Sequence, residues 1–285
     1  MADAKQLVRR GEVPSAPMEY RRFGRTNYAL SVITMGGMRY HDGWSEPRDE
    51  PHREMIDHAV QMLRLAFDAG VNHVETAYGY GKSEYCHGLA LEELGVRRDS
   101  FFLMTKGCED SGEEMKRKVE AQLEGLKTDS IDLYAFHGIN TQEILERSLK
   151  KGGALDVLNR YVEEGVIGRL GFSTHGPTEV ICRAIETDRF DFVNLHYYYF
   201  WQRNYAAIQL AQSRDLGVFI ISPNDKGGHL FRPSSIVAQL TEPLTPIQWN
   251  ARFCLRLPHV HTLSFGMNEA AHIQEMKGIF PLQAP

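Results

Sequence analysis

Eight short apolar runs, separated by stretches with helical spacing, constrain this chain more than any other feature. The runs are Leu30–Met35, His73–Ala77, Phe101–Thr105, Ile131–Phe136, Leu170–Ser173, Phe192–Leu195, Val218–Ser222 and Thr262–Phe265. Between the first two, Met55, Ile56, Ala59, Met62, Leu63, Leu65 and Ala66 recur at the three- and four-residue intervals of one helix face, and Gly70 ends the pattern. Similar helical stretches occupy 112–126, 155–164, 177–187 and 205–214, and Ser83 reads as the cap of another. Alternating strands and helices require parallel pairing through right-handed crossovers, and eight such units close most readily into a (β/α)8 barrel of the TIM type. An open doubly wound sheet expects G-x-G-x-x-G after its first strand, where this chain has only GGM at Gly36–Met38.

Ahead of the first run, alternation around a glycine turn at Gly24–Asn27 predicts an N-terminal β-hairpin. Met1–Pro17 is polar and aperiodic, so the expected organisation is a flexible arm over 1–17 and a single barrel domain over 18–285. The helix count between Arg232 and Gln248 stays open. The 285 residues, 42% of them hydrophobic, suffice for one barrel of about 250 residues. A net charge of −5 with dispersed Lys and Arg gives no sign of a nucleic-acid or anionic-membrane partner, and points to a small-molecule substrate. Oligomeric state is not legible. Cys86, Cys108, Cys182 and Cys254 lie far apart and suit reduced thiols in a cytoplasmic protein. No apolar run approaches the roughly 18 residues of a membrane span, and the first residues lack a signal-type apolar core.

In such a barrel the strand C-termini share one mouth, and ionisable residues there are candidates for chemistry. Four stand at or just after strand ends: Glu75, Tyr80, Lys106 and His137. Each alone has a bland explanation, as a rim residue meeting solvent. Together they suit carbonyl reduction. A phenol near pKa ~10 is a poor acid at neutral pH, and a buried ammonium at Lys106 would bring Tyr80 toward the working range. Glu75 would hold that ammonium, and His137 would hydrogen-bond a carbonyl oxygen. None of the four can donate a hydride, so a reduced nicotinamide must share the mouth.

The chain resembles the aldo-keto reductases. The resemblance rests on YRRFGRTN at Tyr20–Asn27, ETAYGYGKSE at Glu75–Glu84, TKG at Thr105–Gly107, IDLYAFHG at Ile131–Gly138, GFSTH at Gly171–His175, ISPNDKGG at Ile221–Gly228 and the closing SFGMNEAAHIQE. It implies Tyr80 as proton donor, Lys106 as its pKa tuner, His137 as substrate orienter and Glu75 in the place of the usual Asp. It further implies that Ser173, Thr174 and Asn194 bind the nicotinamide carboxamide, and that Ser222, Pro223, Lys226, Gly227 and Gly228 form the phosphate loop. Gly266, Asn268, His272 and Glu275 would hold the adenosine half. Ile221 stands where an aromatic usually stacks on the nicotinamide, and Met276 replaces a usual Asn. Lys226 and His272 could meet a 2′-phosphate, so NADPH is the expected cofactor and NADH remains possible. The resembling group with Glu in the tetrad commonly continues into a cysteine-rich iron-sulfur tail; no cluster is expected within these residues.

The expected substrate pocket draws on Tyr40, Trp44, Tyr78, Tyr197, Tyr198 and Trp201, at most about half of which should line it, and suits an apolar or planar carbonyl compound. His259 and His261 form an H-x-H, but at the N-terminal end of the last strand, so no metal site is expected. Cys108 reads as a packing thiol. Two rival functions remain on sequence grounds: a cofactor-binding sensor or interaction module with little turnover, and a lyase-type barrel using Lys106 as a Schiff base.

Overall fold

Strand residues alternate between two environments, and this alternation fixes what each side chain can do. The computed structural model describes residues 8–11, 17–39 and 47–282. Its strands are β1 (Val8–Arg9), β2 (Tyr20–Arg22), β3 (Tyr28–Ser31), β4 (Ile33–Gly36), β5 (His73–Glu75) and β6 (Phe102–Gly107), then β7 (Ile131–His137), β8 (Ile167–Ser173), β9 (Phe192–Leu195), β10 (Gly217–Ile220) and β11 (Thr262–Phe265). The helices are α1 (Arg53–Asp68), α2 (Ser83–Leu94), α3 (Gly112–Gly125), α4 (Gln142–Ser148) and α5 (Ala154–Glu163), followed by α6 (Thr178–Glu186), α7 (Tyr205–Ser213), α8 (Ser235–Thr241), α9 (Pro246–Leu255) and α10 (Ala270–Lys277).

Strands β4 to β11 form a closed barrel in chain order, with β11 pairing back onto β4 and every pair parallel. The expected eight-stranded barrel is therefore present. Phe102 and Met104 on β6, Leu133 and Ala135 on β7, Phe192 on β9 and Phe219 on β10 fill its interior. Their neighbours Leu103, Tyr134, Phe136, Val193, Val218 and Ile220 face outward and pack in the core shared with the helices. Carried one step further, the same period turns Lys106 and His137 inward at the mouth.

The N-terminal hairpin is also present, with β2 antiparallel to β3, and it packs Phe23, Leu30 and Tyr28 against the interior residues. The expected single strand Leu30–Met35 is instead two strands in different sheets. The chain turns at Val32, whose N–H donates to Glu19 O, while the Ser31 hydroxyl accepts from Asn72 N and the Ser31 N–H donates to Asn72 Oδ1. Within the segment expected as an arm, β1 pairs in parallel with β3, and Arg10 bonds Phe101 O and Asp132.

Ser83 does not cap α2. It lies inside the first turn, and its hydroxyl donates to Gly37 O at 2.8 Å. Helix α4 was not foreseen, and the open region contains α8 and α9, the latter begun by a Thr245/Gln248 capping box with Pro246 in the first turn. Among the described residues no helix is long and apolar enough to cross a membrane.

Candidate active site

Glu75, Lys106 and His137 occupy the ends of three adjacent strands, β5, β6 and β7, and Tyr80 arches over them from the loop before α2. Lys106 is 1% exposed and Glu75 4% exposed. Lys106 Nζ is held by Glu75 Oε2 and by Thr76 O at 2.7 Å, and lies 4.8 Å from the centre of the Tyr80 ring. The Tyr80 and His137 rings meet edge to face with centres 6.0 Å apart. The sequence-expected quartet is thus one cluster.

Its electrostatics follow from burial and pairing. Burial disfavours the Lys106 ammonium, but Glu75 and Tyr80 outweigh it and hold its pKa above the ordinary value, so it stays charged. For Tyr80 the sequence expectation fails in direction. Burial dominates and raises the phenol above 10, while Lys106 pulls it down only in part. The phenol therefore keeps its proton at neutral pH. Burial, with Lys106 adding to it, pushes His137 down to about 3, leaving a neutral imidazole that can donate one N–H.

Beside this cluster runs a groove of about 110 Å³ that includes Glu75 and Tyr80 and extends past Ile221, the 222–228 loop and Gly266. The loop has Ser222, Asp225, Gly227 and Gly228 in the left-handed backbone region, with φ of 52°, 62°, 89° and 75°. Such turns can gather N–H groups on one side as a seat for an anion, although here the N–H of Lys226 is taken by Tyr198 and Asp225 and that of Gly228 by Asp225 O. Asn250 braces the loop by donating to Pro223 O at 2.5 Å.

The family model for the Aldo/keto reductase family matches residues 32–232. The chain belongs to that family. Its membership makes it an NAD(P)H-dependent oxidoreductase. The uncharacterized oxidoreductase YrpG of Bacillus subtilis is similar to it, 24% identical over 237 residues, which cover 75% of this chain and 68% of that protein. The 6-dehydroglucose reductase of Novosphingobium aromaticivorans is 27% identical over 172 residues, 55% of this chain. The matching part spans about half (52%) of that relative's length. An aldo-keto reductase from Klebsiella pneumoniae, solved in complex with NADPH, shares the fold with a TM-score of 0.73 at 22% identity, covering 92% of this chain and 89% of that one.

Of the expected cofactor residues, Ile221, Ser222, Pro223, Gly227, Gly228 and Gly266 line the groove, and the others lie outside its lining. Asn194 is fully buried, and its Oδ1 has no hydrogen-bond partner among the described residues, so an amide placed there would satisfy it. Ser173 accepts from Gly138 N at 3.2 Å and stands beside Asn194 in the strand pairing. The hydroxyl of Thr174 is taken by its own turn, donating to Ile139 O and accepting from Gly176 N. Lys226 is exposed at the loop tip. His272 accepts from Asn268 N and packs on the Phe231 ring, whereas Glu275 is bonded by the Thr245 hydroxyl. The orphaned Asn194 oxygen, the left-handed loop and the continuous groove fit a nicotinamide dinucleotide.

The aromatic pocket is smaller than expected. Tyr40 and Trp44 lie outside the described residues. Tyr197 is not in the mouth: it faces outward from β9 and stacks on Phe253. Tyr198 is fully buried, and its hydroxyl accepts from Lys226 N. Tyr78 is sandwiched between Arg48 and Lys118, at 3.5 and 3.8 Å from its ring centre. Trp201 is partly exposed beneath Arg203. His261 accepts from Val218 N, a structural use.

Sequence reasoning missed Arg39 and Phe231, which line the groove, and the pair His175 and His196, bonded at 2.6 Å just past the ends of neighbouring strands β8 and β9. Arg39 and His175 follow strand ends as closely as Tyr80 does, and that position was the available signal.

Proposed function

We infer that the protein reduces an aldehyde or ketone to the alcohol, with NADPH as the preferred cofactor. The observation that carries this reading is the buried Lys106 ammonium, fixed by Glu75 and Thr76 O beneath the protonated Tyr80 ring, with neutral His137 alongside. A reduced nicotinamide, when bound, supplies the hydride. Asn194 and Ser173 would orient its carboxamide, Ile221 would pack against it, and the 222–228 loop would hold its phosphates. His137 donates a hydrogen bond to the substrate carbonyl oxygen and polarises it. As negative charge grows on that oxygen, Tyr80 passes its phenolic proton to it. The phenolate left behind is stabilised by Lys106, whose low-dielectric surroundings strengthen the attraction.

Exposed Lys226, with His272 packed on the groove-lining Phe231, supports a 2′-phosphate and hence NADPH. The polar, cation-stacked mouth, together with a relative that acts on 6-dehydroglucose, supports a hydroxylated carbonyl substrate over the apolar one expected from sequence. The free cysteines fit a reducing compartment such as the cytoplasm, and residues 18–285 are read as one domain.

Tyr80→Phe tests the reading. It removes the transferable proton and little else, so reduction of 4-nitrobenzaldehyde should fall by roughly a hundredfold to ten-thousandfold. NADPH binding, followed by fluorescence, should be retained. Undiminished turnover would remove Tyr80 from the mechanism. Lost turnover with borohydride trapping at Lys106 would favour lyase chemistry.

A further inference from the structure

Glu75 is one methylene longer than the Asp usual in its place, and the structure shows where the extra length goes. One carboxylate oxygen, Oε2, takes Lys106; the other, Oε1, accepts from the Ser264 hydroxyl at 2.8 Å. Ser264 is on β11, and β4 stands between β11 and β5. Across adjacent strands about 4.8 Å apart, side chains two strands away meet only if the strand between them leaves a gap. Gly36 leaves it. Gly36 is the direct pairing partner of Glu75, and a Cβ on it would lie 2.8 Å from Ser264 Oγ and 3.2 Å from Glu75 Oε1. The contact between Glu75 and Ser264 thus passes over bare backbone.

We propose that Ser264 is a positioning residue for carbonyl reduction, its hydroxyl fixing Oε1 of Glu75 across Gly36 so that Oε2 stays on Lys106 beneath Tyr80. The inference rests on the reductase reading above. A glutamate has one more rotatable bond than an aspartate, and a single anchor leaves its carboxylate free to swing. Two anchors on opposite sides remove that freedom and hold the ammonium where charge develops on Tyr80. The match is specific to glutamate. An aspartate, shorter by about 1.5 Å, would leave Ser264 beyond hydrogen-bond reach while keeping its charge. Glu75, Gly36 and Ser264 therefore act as a set.

The test is a double-mutant cycle on turnover of 4-nitrobenzaldehyde with NADPH, using wild type, Ser264→Ala, Glu75→Asp and the double variant. Ser264→Ala should lower kcat about tenfold, with KM and NADPH affinity unchanged. Glu75→Asp should cost a similar factor, and the double variant should be no slower than Glu75→Asp, because the shorter side chain has already lost Ser264. A Ser264 that served only local packing would cost the same factor in both backgrounds. The proposal is overturned if Ser264→Ala stays within about twofold of wild type, or if the double variant falls by the product of the two single losses, about a hundredfold. Retained NADPH binding shows that each variant is folded. Tyr80→Phe separates the two levels: full activity there removes Tyr80 as proton donor and with it the purpose of the Glu75–Lys106 anchor, whereas its collapse alongside independent Ser264 and Glu75 losses defeats only the role of Ser264. Undetectable turnover of wild type removes both.

Discussion

The two sides of the barrel mouth are built on opposite terms. Around β5 to β7, the charges are buried and already paired: Lys106 with Glu75 and Thr76 O, and Glu84 with Arg48, Thr105 and Gln122. Around β10 and β11, four residues of one loop hold left-handed backbone, Lys226 and Phe231 are exposed, and the buried Asn194 oxygen nearby has no partner among the described residues. The first side is complete by itself. The second is organised for something that the chain does not provide, since left-handed non-glycine backbone and an unmet acceptor each cost stability unless a ligand repays them. Preorganisation belongs to the chemistry, and incompleteness to binding.

Removing Lys106 should break the contrast most severely. Lys106→Met would leave Glu75 buried with Ser264 as its remaining anchor, costing about 3–5 kcal/mol of stability. It should also lower turnover on the order of a thousandfold, read by denaturant unfolding and by kcat.

Acid should come next, because it charges buried groups of both sides and of the barrel floor. Burial lowers His73, His137 and His196 to about 3, and His87 and His261 to about 4. The unfolded chain takes up these protons near its ordinary value of about 6.5, so this stability is complete above that pH and is lost as pH falls toward 4. The melting temperature should drop by roughly 10 °C or more per pH unit in that window. A flat profile from pH 7 to 4 would show that these rings are solvated in the native state.

The smallest effect belongs to the open side. Lys226→Ala should weaken NADPH about fivefold, leave NADH affinity and saturated kcat unchanged, and leave the melting temperature of the free protein in place. Equal weakening for both cofactors would place Lys226 on the shared phosphates instead of the 2′-phosphate.

What could be read from sequence follows the same division. Strand ends and helical periods located β4 to β11, and the family motifs located Glu75, Tyr80, Lys106 and His137, because these depend on local order along the chain. The seat made by Gly36 and Ser264 was hidden, since it joins residues 228 positions apart through a barrel closure that no local pattern encodes. Tyr197 was misjudged for a simpler reason. Beyond β9 the two-residue alternation continues, so His196 and Tyr198 face one way and Tyr197 the other. Counting parity from Asn194 would have separated them. The direction of the Tyr80 shift could not be read either, because it depends on how deeply the ring is covered.

The hairpin of β2 and β3 has one more consequence. Phe23, Leu30 and Tyr28 sit on a ring-lined opening formed by Phe102, Phe192 and Phe219, and Arg22 fastens the hairpin from outside to Asp215, just ahead of β10. The hairpin works as a stopper in the base of a cup. If it came loose, the exposed surface would be greasy and aromatic rather than catalytic, so damage there should be seen first as clumping of otherwise intact barrels.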